Sequence, residues 1–158
     1  MTLANPEINY EFEQKELRKT YISAKPQIRL NVILKRIKES EIGPMRLLTL
    51  MSSIEALSRS LLIHAEVEVG NNIEQVYEKF RLEKPEKMVE KYFRKFKLNC
   101  NTFYKEDTWL LFKNAIDFRN LIIHECTYLG KDKYQSLIMA CEEVLSSLIE
   151  LAQLKANN

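Results

Sequence analysis

The sequence predicts an all-α fold, a single antiparallel bundle of about five to seven helices that spans residues 1–158. The chain has only 3 Gly and 4 Pro, which is too few for the turns that many hairpins need. Apolar residues recur at three- and four-residue steps, which is the period of an amphipathic helix. A hydrophobic fraction of 46% with a charged fraction of 29% is typical of a globular domain and excludes intrinsic disorder.

The N-terminal part of the chain contains two segments of different character. Segment 6–20 is highly charged and only weakly amphipathic, so residues 1–25 are expected to form a peripheral helix or an arm. Segment 26–38 is richer in apolar residues and is followed by Gly43-Pro44, which ends a predicted helix. Its apolar residues are Ile28, Leu30, Val32, Ile33, Leu34 and Ile37.

The middle of the chain predicts one core helix and two shorter ones. Segment 44–64 begins with Pro44, which suits a first helical turn, and has a regular apolar stripe. After Gly70, helices are expected over 73–81 and 85–97, separated at Pro85. The stripe of the core helix consists of Leu47, Leu50, Met51, Ile54, Leu57 and Leu61.

Two further helices are predicted in the C-terminal third. After a polar break at 99–102, segment 106–125 carries large apolar side chains from Trp109 to Ile123. Gly130 interrupts the chain, and segment 133–155 then places its apolar residues on one stripe. No internal repeat or low-complexity tract divides the chain, so these helices are expected to share one core.

Composition excludes several classes of function. The net charge of +2 carries no signal for nucleic acid, so any basic site must be local. The three cysteines, Cys100, Cys126 and Cys141, form no Cys-x-x-Cys pair, and with two histidines they predict no metal site. No Gly-rich phosphate loop, signal peptide or apolar stretch of about 18 residues occurs. We therefore expect a cytoplasmic protein with no membrane partner and no cofactor.

Two polar features share the predicted helix 106–125. Arg119 lies between Ile116 and Ile123 on a stripe that should pack, so its guanidinium needs a partner. Asp117, Asn120 and His124 are three and four residues apart and form a second, polar stripe. Arg119 and His124 point about 140° apart on an ideal helix. A symmetric dimer that brings the Arg of one subunit toward the His of the other is therefore expected.

The run Phe118-Arg-Asn-Leu-Ile-Ile-His124 resembles the Arg-polar-x-x-x-His signature of HEPN domains, which are helical modules of prokaryotic toxin and defence systems. The run lies in the penultimate predicted helix, as in that family. Segment 53–62, in which Glu55 precedes Ala and Leu, is similar to the other recurring helix of the family. The resemblance therefore covers two helices.

The resemblance implies a metal-independent endoribonuclease that acts as a homodimer on RNA, with an antitoxin as a possible partner. It implies catalytic roles for Arg119, Asn120 and His124 and a supporting role for Glu55. An imidazole can move the proton of a 2′-hydroxyl, and a guanidinium can stabilise an anionic phosphorane, which leads to a 2′,3′-cyclic phosphate. A supporting role is also expected for Asp117, because it lies on the same polar stripe as Asn120 and His124.

One toxin subgroup of that family has a Tyr two residues after the His, where this chain has Cys126, and the nearest tyrosine is Tyr128. The chain therefore departs from the subgroup whose Tyr is modified by a nucleotidyltransferase-like antitoxin.

Several alternatives remain open at the level of sequence. Arg119 can instead form a structural ion pair with Glu55 or with another carboxylate of the bundle, and Glu55 with Arg59 is also an i, i+4 helix pair. The basic and aromatic run 91–97 suits an RNA surface or, more simply, a helix whose Met88, Tyr92 and Phe96 face the core. The basic residues of this run are Lys91, Arg94, Lys95 and Lys97. The whole chain can also be a non-catalytic module that binds a nucleotide, RNA or a protein.

Overall fold

The computed structural model describes residues 6–39, 44–126 and 131–156, and these residues form eight helices and no strand. The all-α prediction is confirmed, and a four-residue helix inside the predicted polar break raises the helix count above the expected range. The helices are α1 Tyr10–Ser23, α2 Pro26–Glu39, α3 Pro44–Glu68, α4 Ile73–Phe80, α5 Pro85–Arg94, α6 Cys100–Phe103, α7 Thr108–Glu125 and α8 Lys131–Leu151.

Helix α3 is the centre of the bundle, and α2, α4, α5, α7 and α8 all pack against it. Its apolar side chains occur on several faces, which is the pattern of a helix surrounded by others. Three of its serines are also buried, and two of them donate a 2.7 Å hydrogen bond to the carbonyl four residues earlier, Ser53 to Thr49 and Ser58 to Ile54. These bonds satisfy polar groups that would otherwise be costly inside the core.

Helix α1 is peripheral, as the sequence predicts, because none of its residues is buried. Asn9 caps its first turn by accepting a hydrogen bond from the backbone N–H of Phe12 at 3.1 Å. Its apolar residues Phe12 and Leu17 are more than half exposed. Helix α1 packs mainly against α4, another short helix at the edge of the bundle.

Several helix ends differ from the prediction by three or four residues, at α1, α3, α5 and α8. Helix α3 continues to Glu68, beyond the expected end at residue 64, and ends before Gly70, whose φ of 99° favours glycine. Helix α5 ends at Arg94 rather than at residue 97, and Lys97 adopts a left-handed φ of 58°. Because the helix stops early, Phe96 leaves the apolar stripe and is 43% exposed, so its predicted core position was wrong.

The apolar side chains form one continuous core that includes residues of α2 to α8. Tyr104, Trp109 and Phe112 stack in succession near the start of α7, with ring centroids 5.7 and 5.1 Å apart. No helix in the described ranges is long and apolar enough to cross a membrane.

Candidate functional site

Helix α7 is held firmly at its N-terminal half. Trp109, Phe112, Ala115 and Ile116 are buried against the core. The Thr108 hydroxyl donates a hydrogen bond to Glu143 of α8 at 2.9 Å, which fixes the first turn. The helix is therefore a rigid support for the residues that follow Ile116.

The polar stripe predicted on α7 is present. Asp117, Asn120 and His124 are all exposed, and all three line the same cleft. His124 lies in the last turn of the helix, and Cys126 ends it in a left-handed conformation with a φ of 49°. The spacing of three and four residues therefore identified one face of the helix correctly.

Arg119 lies at the boundary between the cleft and the core. Its side chain is 15% exposed, and its NH1 group donates a 3.1 Å hydrogen bond to Oε2 of Glu55 on α3. The other oxygen of Glu55 accepts a 2.9 Å hydrogen bond from NH2 of Arg59. One carboxylate therefore holds two guanidinium groups, and the predicted ion pair of Arg119 with Glu55 is confirmed.

The guanidinium of Arg119 retains one unused donor. Its Nε is buried and has no hydrogen-bond partner among the described residues. An unsatisfied donor on a permanent cation is costly in the interior and attracts an anionic oxygen where one can reach it. The Glu55 contact therefore orients the guanidinium without using all of its donors.

The cleft has a volume of about 520 Å³ and collects residues from three parts of the chain. Glu55 comes from α3, and the polar stripe, Ile116 and Arg119 come from α7. The opposite wall is the connection between α4 and α5 together with the start of α5. This wall consists of Arg81, Leu82, Glu83, Lys84, Pro85 and Glu86.

Sequence reasoning missed that opposite wall, because segment 81–86 carries no periodic pattern that indicates its neighbours. It adds Arg81 and Lys84 to the basic groups of the cleft, together with two carboxylates. Glu83 is paired with Lys91 at 2.6 Å, whereas one oxygen of Glu86 is buried and has no partner among the described residues. The cleft is therefore mixed in charge rather than uniformly basic.

Arg119, Asn120 and His124 of a single chain thus line one cleft, although an ideal helix directs Arg119 and His124 about 140° apart. The long arginine side chain runs toward Glu55 at the base of the cleft, while His124 lies at the end of the helix. One chain therefore provides all three residues to a common space.

Ile123 was predicted to pack next to Arg119, and this prediction was wrong. Its side chain is 54% exposed, and the neighbouring Leu121 is 45% exposed. The buried residues of α7 end at Ile116, and beyond this point only Phe118 and Ile122 contact the core, as half-buried side chains. The last two turns of α7 therefore have fewer neighbours than the predicted packing stripe requires.

The basic run 91–97 lies apart from the cleft lining. Lys91 is paired with Glu83, and Nε of Arg94 donates to the carbonyl of Glu90 at 3.4 Å. Arg94, Lys95 and Lys97 are exposed on the outside of the bundle. The simpler interpretation, an amphipathic helix with solvated basic residues, accounts for this run except at Phe96.

His64 and Cys126, which the sequence also singled out, do not line the cleft. His64 is half-buried on α3, and burial lowers the pKa of its imidazole. Cys126 is exposed at the end of α7, and Tyr128 lies outside the described residues. Within residues 6–39, 44–126 and 131–156, no three His, Cys, Asp or Glu side chains are grouped as ligands for a metal ion.

We compared the chain with protein-family models, with curated proteins and with solved structures. None of the three comparisons finds a match. The likeness to HEPN domains therefore rests on the two helices that carry Glu55 and the run Phe118–His124.

Proposed function

We propose that the protein is a metal-independent endoribonuclease of the HEPN type that acts from the cleft between α3, α7 and segment 81–86. The single observation that carries the proposal is that Arg119, Asn120 and His124 line one cleft of about 520 Å³. These are the residues that the Arg-polar-x-x-x-His signature implies. The cleft is open to solvent along the exposed residues of α7, so an RNA strand has access to it.

The proposed reaction is an internal transesterification. The 2′-oxygen of a ribose attacks the adjacent phosphorus and loses its proton to a base, and the bond from phosphorus to the 5′-oxygen breaks as that oxygen gains a proton. His124 exchanges one of these protons, and Arg119 stabilises the charge on the phosphorane. The amide of Asn120 binds a phosphate oxygen or orients His124. The products are a 2′,3′-cyclic phosphate and a 5′-hydroxyl.

Glu55 acts in this proposal as a positioning residue. It holds NH1 of Arg119 at 3.1 Å and leaves Nε of the same guanidinium without a partner among the described residues. A guanidinium fixed in this way loses less conformational freedom when it binds a phosphate oxygen. Asp117 lines the same cleft and supports the polar stripe on the outer side of α7.

The proposal includes a homodimer in a toxin or antiviral defence setting, with a neutralising antitoxin as a further partner. The resemblance is the basis for these partners. Leu121 and Ile123 are exposed in the same turns of α7 as Asn120 and His124, and a second copy would cover such apolar side chains. The molar mass in solution, measured by light scattering, tests the dimer separately from the cleavage.

A second candidate function is a non-catalytic module that binds RNA, a nucleotide or a protein in the same cleft. The observation that favours it is the Glu55–Arg119 ion pair, since an arginine held by a carboxylate also has a purely structural role. The two functions share a binding site and differ in whether His124 is needed for a covalent step.

The test is incubation of purified protein with mixed cellular RNA in the presence of a chelator, followed by analysis of the RNA end groups. We expect wild-type protein to leave cyclic phosphates, and His124→Ala to reduce cleavage by roughly 10²- to 10⁴-fold, as loss of a general acid–base does. Circular dichroism should show that the variant is folded, because His124 is exposed.

Two exposed asparagines of α7 provide a matched control. Asn120 lines the cleft, whereas Asn114 lies on the same helix outside the cleft lining. Asn120→Ala should lower cleavage, and Asn114→Ala should leave it unchanged. Full activity of a folded His124→Ala protein would overturn the ribonuclease proposal, and RNA binding without cleavage by the wild type would support the binding module.

A further inference from the structure

A second cavity lies on the other side of α3, between α1, α2 and α4. It has a volume of about 270 Å³ and is lined by three arginines, Arg29 and Arg36 from α2 and Arg59 from α3. No Asp or Glu among the described residues lines it. The cavity therefore concentrates positive charge in a protein whose net charge is only +2.

Arg29 is the most unusual of these arginines. Its NH2 group donates to the carbonyl of Tyr21, and its guanidinium lies over the ring of Tyr21 at 4.3 Å. Its Nε is buried and has no hydrogen-bond partner among the described residues. Burial is the main cause that lowers the pKa of Arg29; Tyr21 opposes this shift, and the positive charge of Arg59 adds to it. The cation is therefore partly desolvated and has no carboxylate in its cavity.

Arg59 and the serines complete the lining. Arg59 is bound to Glu55 at 2.9 Å and donates from Nε to the carbonyl of Phe80 at 3.3 Å. Ser53 and Ser60 donate their hydroxyls to backbone carbonyls, whereas Ser52 is exposed on the cavity side of α3. Guanidinium and hydroxyl donors are the groups that bind phosphate oxygens in proteins.

A structural role explains part of this arrangement, because the contact of Arg29 with Tyr21 holds α1 against α2. It does not explain why the positive charge of Arg29 has no carboxylate beside it in the described part of the cavity lining. A desolvated arginine that serves only packing is usually neutralised by a carboxylate, and no carboxylate among the described residues lines this cavity. A bound anion would offset the repulsion between Arg29 and Arg59.

We propose that this cavity binds the phosphate group of a small phosphorylated molecule. Arg29, Arg59 and Ser52 supply charge and donors for a phosphate monoester. The volume of about 270 Å³ lies just below the range of about 300–1,000 Å³ typical of pockets for drug-sized ligands, so the ligand is a small metabolite no larger than a mononucleotide. This site is separate from the cleft that contains His124, and the proposal stands without ribonuclease activity.

The test uses isothermal titration of the full chain with inorganic phosphate and with adenosine 5′-monophosphate at low ionic strength. Ser52→Glu places a carboxylate at the cavity, and Ser146→Glu places the same charge at an exposed serine of α8 outside the cavity lining. We expect Ser52→Glu to weaken binding of both probes by at least about tenfold, because the new carboxylate repels the phosphate and replaces a hydroxyl donor. Ser146→Glu is the matched control and should bind nearly as the wild type does.

Arg29→Gln is the second variant, and its fold is checked by circular dichroism and thermal unfolding without ligand. We expect it to lose binding as well. Failure of the wild type to bind either probe at millimolar concentration would overturn the proposal, as would equal binding by Ser52→Glu. Binding of acetate as tightly as phosphate would also contradict it, because it would assign the cavity to carboxylates.

Discussion

The two halves of helix α7 both carry large apolar side chains, but their surroundings differ. From Thr108 to Ile116 four residues are buried and Phe112 is fully enclosed, while Leu110 is exposed. From Asp117 to Glu125 no residue is buried, and Ile123 is more than half exposed. Apolar composition is therefore a poor guide to burial along this helix, and the position of the neighbouring helices decides it.

The contrast between a buried half and an exposed half of α7 suits a functional site. A side chain at the end of a well-packed helix is held in position by the core, yet it remains open to a ligand. Trp109 and Phe112 provide that support, and Asn120 and His124 are placed in the open part of the same helix. The buried half should therefore control stability, and the exposed half should tolerate substitution except where it performs chemistry.

The largest expected effect separates the two halves directly. Phe112→Ala should lower the free energy of unfolding by about 3–5 kcal/mol, because it removes a fully buried aromatic ring and leaves a cavity. Ile123→Ala should change it by less than about 0.5 kcal/mol, since Ile123 is exposed. Urea unfolding at low protein concentration measures both. Similar losses for the two variants would show that the C-terminal half is covered in solution.

An intermediate effect is expected at the boundary between the halves, where Glu55 holds Arg119. Glu55→Gln removes the charge that pairs with Arg59 and Arg119, and we expect a loss of roughly 1–3 kcal/mol in the free energy of unfolding. Glu125→Gln, at the exposed end of α7, is the control and should be nearly neutral. If Glu55→Gln is equally neutral, the ion pairs do not stabilise the fold.

The smallest effect concerns reactivity rather than stability. Burial raises the pKa of Cys100 and of Cys141 to about 12, so neither thiol forms the reactive thiolate near pH 8. Cys126 is exposed where α7 ends. Titration of the native protein with a thiol reagent should therefore modify one cysteine rapidly, and all three after denaturation. Rapid modification of Cys141 in native protein would indicate that α8 opens.

The sequence predicted the helices well because their apolar periodicity is regular. The core stripe of segment 44–64 and the polar stripe of Asp117, Asn120 and His124 both appear in the structure. The helix ends were predicted less accurately. Phe96 and Ile123 were assigned to a buried face, because the sequence does not show where α5 stops or where the helices that pack against α7 end.

The composition of the cleft was beyond sequence reasoning for a different reason. Arg81 and Lys84 lie in a connection with no periodic pattern, and only the packing of α4 and α5 against α3 brings them opposite α7. Arg29 shows the same limit, because its cavity is formed by side chains of four helices, α1 to α4, which only tertiary packing brings together. Local pattern predicts an element, whereas a site between elements depends on tertiary packing.

The carboxylate of Glu55 connects the two sides of α3, because one oxygen binds Arg119 in the cleft and the other binds Arg59 at the cavity. An anion that draws Arg59 toward itself would leave more of the Glu55 charge to Arg119. Thermodynamic linkage then requires reciprocity: if occupancy of the cavity changes affinity in the cleft by some factor, occupancy of the cleft changes affinity in the cavity by the same factor. If both proposed sites bind anions, Glu55 is the side chain through which their occupancies would be coupled.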